Sequence, residues 1–212
     1  LAAALFLPWA GGALVSDDWP VLLRARDAAL ADVPGWFAGL GGDWYRPVSD
    51  LYLAVAWHAF GLHPLALRVL GIALFAASAV LVGVLAESIA DDSPAGLVAG
   101  VVFAPLAAHA EPVLWIAAGN ELLAGVGVLC ALLACIRFAR SGTRRWLAVT
   151  WLAFTIAVMS KETALGLPLA LAACALGVAR AATPVPAPAR PVHPFVEPRL
   201  DRPAILREGD VV

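Results

Sequence analysis

From Val69 to Ala86 the chain carries no charged side chain, and this run limits the fold more than any other feature. A helix crossing the roughly 30 Å hydrocarbon core needs about 20 mostly apolar residues. In lipid, every backbone polar group must also be satisfied within the spanning segment. The whole composition points the same way: of 212 residues, 62% are hydrophobic and 14% charged, with mean hydropathy +0.85. That is too apolar for a soluble globule and marks an all-α integral membrane protein. A net charge of −2 excludes a basic nucleic-acid binder.

Six candidate crossings follow from the apolar runs: Leu1–Val15, Pro64–Ala86, Ala95–Ala108, Glu121–Phe138, Trp146–Ser160 and Thr163–Val178. The first resembles the apolar core of a signal peptide, but no small-residue cleavage site precedes Asp17, so it reads as a clipped membrane helix. Arg137, Arg140, Arg144 and Arg145 bracket a short connection, and clustered arginine marks the cytoplasmic side. Counting from there, Ser16–His63, Ala110–Asn120 and Lys161–Glu162 are external. Glu87–Pro94 and everything beyond Arg180 are cytoplasmic.

The first external loop is long and patterned. Asp18 or Ser16 is placed to cap a helix over Pro20–Leu30. Gly39-Leu40-Gly41-Gly42 then breaks the chain before Asp43-Trp44-Tyr45-Arg46-Pro47. A second helix over Val48–Phe60 is about 20 Å long, too short to span, and Tyr52 and Trp57 suit an interfacial position. The expected fold is therefore a multipass transmembrane helix bundle over residues 1–180, with short interfacial helices in that loop. Residues 181–212 hold seven of the chain's sixteen prolines and read as a disordered tail. Gly119, Gly125 and Gly127 suit close helix packing. Cys130, Cys135 and Cys174 lie in apolar runs without CxxC spacing and read as small packing residues.

Charge is costly beside hydrocarbon, and three clusters sit where apolar runs stop, all on the external face by this count. In the first cluster, Asp17-Asp18, either acid can cap a helix or serve as general base toward an acceptor hydroxyl. Mutual repulsion can separate their roles. The second spans His109, Glu111, Trp115, Asn120 and Glu121, where Pro105 and Pro112 interrupt regular helix. Broken backbone at membrane depth is tolerated where it lines a wet cavity. Trp115 can stack on a sugar or anchor at the interface, and Glu111 and Glu121 can pair with Lys161 or Arg46. The third, Lys161-Glu162, is either a salt-bridged helix end or a positive charge for a phosphate oxygen. Arg46 and Arg68 can add to that cradle, although an arginine like Arg68 near a helix end commonly snorkels. No close-spaced metal-ligand set is legible.

In order, the motifs are Asp17-Asp18, Tyr45-Arg46-Pro47, Leu62-His63-Pro64, His109-Ala110-Glu111-Pro112-Val113-Leu114-Trp115, Asn120-Glu121-Leu122-Leu123-Ala124 and Ser160-Lys161-Glu162. Together they resemble the integral-membrane glycosyltransferases of the GT-C superfamily, in particular protein O-mannosyltransferase-like members associated with tetratricopeptide repeats. The resemblance covers about residues 1 to 170. It implies a polyprenyl-phosphate-linked sugar donor, a protein or glycan acceptor on the external or periplasmic face, and residence in the bacterial inner membrane. It also implies that Asp17 or Asp18 is the catalytic base, and that Lys161, and more weakly Arg46, contacts the lipid phosphate. Glu162, His109, Glu111, Asn120 and Glu121 complete the substrate-binding set, with no cofactor and no metal. Family members have more than six membrane helices, so the sequence is expected to be a fragment. The competing expectation is a multipass transporter or lipid flippase that moves its substrate without breaking bonds.

Overall fold

A computed structural model describes residues 1–39 and 44–182, with side chains to Gly177. The break expected at Leu40-Gly41-Gly42, the side chain of Arg180 and the proline-rich segment from Thr183 lie outside the described residues. Within them the chain is all-helical, with no strand. The helices are α1 (Ala2–Phe6), α2 (Asp18–Asp27), α3 (Val33–Phe37), α4 (Pro47–Phe60), α5 (Pro64–Ala90), α6 (Ser93–Phe103), α7 (Ala110–Leu114), α8 (Gly119–Ser141), α9 (Arg144–Ser160) and α10 (Leu167–Ala182). Their ends follow local chemistry. Proline opens the first turn of α4, α5 and α6, where its missing N–H costs nothing. Left-handed Gly142 (φ 64°) closes α8.

Two segments are long and apolar enough to cross a membrane: Pro64–Ala90 and Ile116–Ser141, with mean hydropathies of 2.6 and 2.3. Ser93–Phe103 and Ala107–Leu114 qualify only as a pair, bent by 62°. The bend follows Pro105, which lacks an N–H and cannot continue a helix. The run Leu1–Val15 is not a continuous helix either. It is α1, a 3-10 turn over Leu7–Trp9 with Pro8 in it, and then irregular chain through Gly11 and Gly12. Between Lys161 and α10 a 3-10 segment, Glu162–Gly166, replaces the expected helix start. At 17 residues, α9 is about 25 Å long.

The long helices touch through glycine. A Cβ on Gly96 would lie 2.8 Å from the Gly83 carbonyl oxygen, so α5 and α6 meet backbone to backbone. On α8, a Cβ at Gly127 would lie 2.9 Å from Ala157 Cβ of α9, whereas one at Gly125 would meet nothing within 4 Å. The three free cysteines are partly buried in α8 and α10. Arg140 pairs with Asp91 at 3.3 Å, which places the 87–94 and arginine-rich connections at one end of the helices. Glu121 opens α8 at the other end, roughly 30 Å away along its axis. There α2 and α4 pack on α5 through Leu22, Ala56, Leu67 and Ile116. Tyr52 does not face outward as an anchor: its ring packs on Gly119, and burial pushes its hydroxyl up to about 12.

Candidate functional site

The segments around the first acid pair and the 114–117 turn are held by two buried charges. Ser16 has a left-handed backbone (φ 40°) and turns the chain sharply into α2. Asp18 is fully buried, and its carboxylate accepts hydrogen bonds from the amides of Val15 (3.0 Å) and Ala117 (2.9 Å). Asp17 stays exposed, and among the described residues its carboxylate accepts a hydrogen bond from the Ser16 hydroxyl at 3.1 Å. Arg68 is 4% exposed and neither snorkels nor faces a phosphate cradle. Its guanidinium donates to the carbonyls of Ala10 (3.1 Å), Gly12, Ala13 (2.6 Å) and Leu114 (2.8 Å).

Above this scaffold opens a cavity of about 860 Å³, within the ~300–1,000 Å³ typical of small-molecule sites. Segments far apart in sequence line it: Asp17, Arg24, Arg46, Asp50, Glu111, Trp115, Asn120, Glu121 and Lys161 all contribute. Lys161 donates to Glu121. Arg46 grips Glu162 through both carboxylate oxygens, at 2.9 and 2.5 Å, and lies 5.1 Å over the Trp44 ring. That bond holds the Glu162 carboxyl below its usual range. Beside it, buried Ser49 donates to the Ser160 carbonyl at 2.8 Å. The indole nitrogen of Trp115, the amide oxygen of Asn120 and, away from the cavity, His109 Nε2 are buried without a hydrogen-bond partner among the described residues.

Of the residues expected at a site, Asp17, Arg46, Glu111, Asn120, Glu121 and Lys161 share this cavity. Glu162 supports it through Arg46. Asp18 instead braces the scaffold, and His109 is elsewhere: the 3-10 turn Ala107–His109 carries its ring against Phe103 and Phe75, with centroids 4.2 and 4.9 Å away. Sequence reasoning passed over Arg24 and Asp50. Asp17, Val21 and Arg24 lie four and three residues apart, one face of a helix, so the signal for Arg24 was there. Asp50 follows Arg46 by one turn in the same way. Its carboxyl is pushed up by burial, with the positive charges of Arg24 and Arg46 opposing.

A smaller cavity of about 320 Å³ adjoins the first, sharing Val21, Arg24, Asp50 and Leu53 and adding Asp27, Asp32 and Trp36. No group of three metal-ligating side chains occurs among the described residues. No protein-family model, curated protein or solved structure matches the chain.

Proposed function

We propose that this chain builds the reaction cavity of a multipass membrane glycosyltransferase that moves a sugar from a polyprenyl-phosphate-linked donor to an acceptor hydroxyl on the external face. The observation that carries this reading is the meeting of Asp17, Arg46, Glu121 and Lys161 around one open cavity at the end of the helices opposite the arginine-rich connection. An exposed carboxylate and cations lining one cavity suit transfer from a phosphate ester. Asp17, not Asp18, is the base, because both Asp18 oxygens are occupied by backbone amides.

In the reaction, Asp17 accepts the proton of the acceptor hydroxyl as its oxygen bonds to the anomeric carbon. The bond from that carbon to the phosphate oxygen breaks with inversion. The departing lipid phosphate keeps the electron pair, and the positive charges of Lys161 and Arg46 stabilise it. Trp115 and Asn120 line the cavity, and an indole ring and a side-chain amide suit a sugar. The apolar flanks of α6 and α9, with Leu97, Val98, Trp151 and Leu152 exposed, suit lipid contact and a lipid-borne donor entering sideways. Residence in a bacterial inner membrane, with the cavity outward, belongs to the same reading.

The test is transfer of radiolabelled sugar from polyprenyl phosphate by the purified protein. Asp17→Asn should lower kcat by about 10²–10⁴, the usual contribution of a general base, with donor binding retained. Full activity in Asp17→Asn removes the base assignment. Activity lost to a chelator and restored by a divalent ion would remove the metal-free step, and transport of the lipid-linked sugar without transfer would favour a flippase.

A further inference from the structure

We infer that Arg24 makes the primary contact with an anionic phosphate in this cavity, ahead of Lys161 and Arg46; the inference deepens the transfer reading and rests on it. Three cationic side chains line the cavity. Lys161 is committed to Glu121, and Arg46 to both oxygens of Glu162. An anion reaching either meets a cation already partly neutralised by a carboxylate. Arg24 forms no ion pair among the described residues, so a phosphate can take its guanidinium without breaking an existing contact, and in bidentate fashion.

Its position also fits. Arg24 stands seven residues beyond Asp17 on the same face of α2, about two turns or roughly 10 Å along the axis. A phosphate on Arg24 therefore leaves space for a sugar ring between itself and the Asp17 carboxylate. The acids facing Arg24 from its own and neighbouring elements are already answered or weakened. On α2 itself Asp27 is paired with Arg26 at 2.7 Å, Asp32 accepts the Ala29 amide at 2.8 Å, and burial raises the Asp50 carboxyl against the opposing charges of Arg24 and Arg46. Arg24 also lines the smaller cavity, so both chambers share its side chain. The chemistry recognised is a phosphate ester or phosphate anion, whether lipid-borne or free.

The experiment titrates the full chain in detergent micelles with a polyprenyl phosphate and, separately, with inorganic phosphate, read by tryptophan fluorescence. Arg24→Gln should raise Kd for the polyprenyl phosphate about tenfold or more, with Arg24→Lys recovering part of the loss. Arg144→Gln, exposed at the opposite end of the helices, should change it less than about twofold. Thermal unfolding of each variant guards against misfolding. An unchanged Kd in Arg24→Gln, with the loss appearing in Lys161→Gln instead, overturns the inference and leaves the transfer reading standing. Arg24-dependent binding of inorganic phosphate, with none of the polyprenyl phosphate, supports Arg24 as the anion contact and removes the lipid-linked donor. Wild-type protein that binds neither phosphate overturns both.

Discussion

Asp18 and Arg68 hold the same two stretches of chain from opposite polarities. Asp18 accepts from the amides of Val15 and Ala117, while Arg68 donates to the carbonyls of Ala10, Gly12, Ala13 and Leu114. The segment before α2 and the turn before α8 are thus joined by two buried charges, each neutralised by backbone dipoles. Buried charge is tolerated only when its hydrogen-bonding capacity is filled. Arg68→Met leaves four carbonyls without their donor and should cost about 3 kcal/mol or more. Asp18→Asn, which presents an amide where two N–H groups point, should cost about 1–3 kcal/mol. Thermal unfolding in detergent measures both, and a loss under about 0.5 kcal/mol in Arg68→Met would contradict the clamp.

The pairing of Arg46 with Glu162 is bidentate but half open to water, so its contribution should be modest. A double-mutant cycle of Arg46→Gln and Glu162→Gln should give a coupling of about 0.5–1 kcal/mol near neutral pH. The Glu162 carboxyl is held low, chiefly by the hydrogen bond from Arg46. Its stabilising effect is therefore present above the ordinary glutamate range and lost as pH falls through the lowered value. Coupling that persists unchanged in strong acid would contradict the ion pair.

Asp50 behaves in the opposite sense. Burial raises its carboxyl above the usual range, so the folded chain favours the protonated form. That contribution is complete below the unfolded value and disappears as pH rises through the folded one. Asp50→Asn should therefore raise the unfolding temperature at about pH 7.5 and lose its advantage toward about pH 4. Equal effects at both values would remove the burial argument.

Two glycines on α8, two residues apart, should respond in opposite directions. Gly127→Val drives its side chain into Ala157 and should cost about 1–3 kcal/mol by forcing α8 from α9. Gly125→Ala meets open space and should gain up to about 0.5–1 kcal/mol from helix propensity. Helix-pair stability in detergent, followed by circular dichroism, distinguishes them.

How much of this could be read in advance depended on whether a residue's partners were local. Charges at the ends of apolar runs, Asp17, Glu121 and Lys161, had few places to go except the end of the helices, and they meet there. Gly127 was legible as a contact for the same reason, but Gly125 beside it was not distinguishable. His109 misled, because adjacency to Glu111 in sequence says nothing about the 3-10 turn that rotates its ring onto Phe75 and Phe103. The run Leu1–Val15 misled because hydropathy counts Pro8, Gly11 and Gly12 as tolerable while helix geometry does not. The grip of Arg68 could not be anticipated at all: its partners are carbonyls, which every residue carries. Adjacent in sequence, Asp17 and Asp18 differ in surroundings because the Ala117 amide, distant in sequence, bonds Asp18 in the interior and leaves Asp17 exposed.

Ser49 bonded to the Ser160 carbonyl and Arg46 bonded to Glu162 straddle Lys161 in sequence and fasten α4 to the chain on both sides of it. A tilt of α9 cannot carry the ammonium group away alone; it drags Arg46 and the start of α4 along. The rim is therefore tied at two neighbouring points, so a displacement of Lys161 is passed on to Arg46 and the first turn of α4.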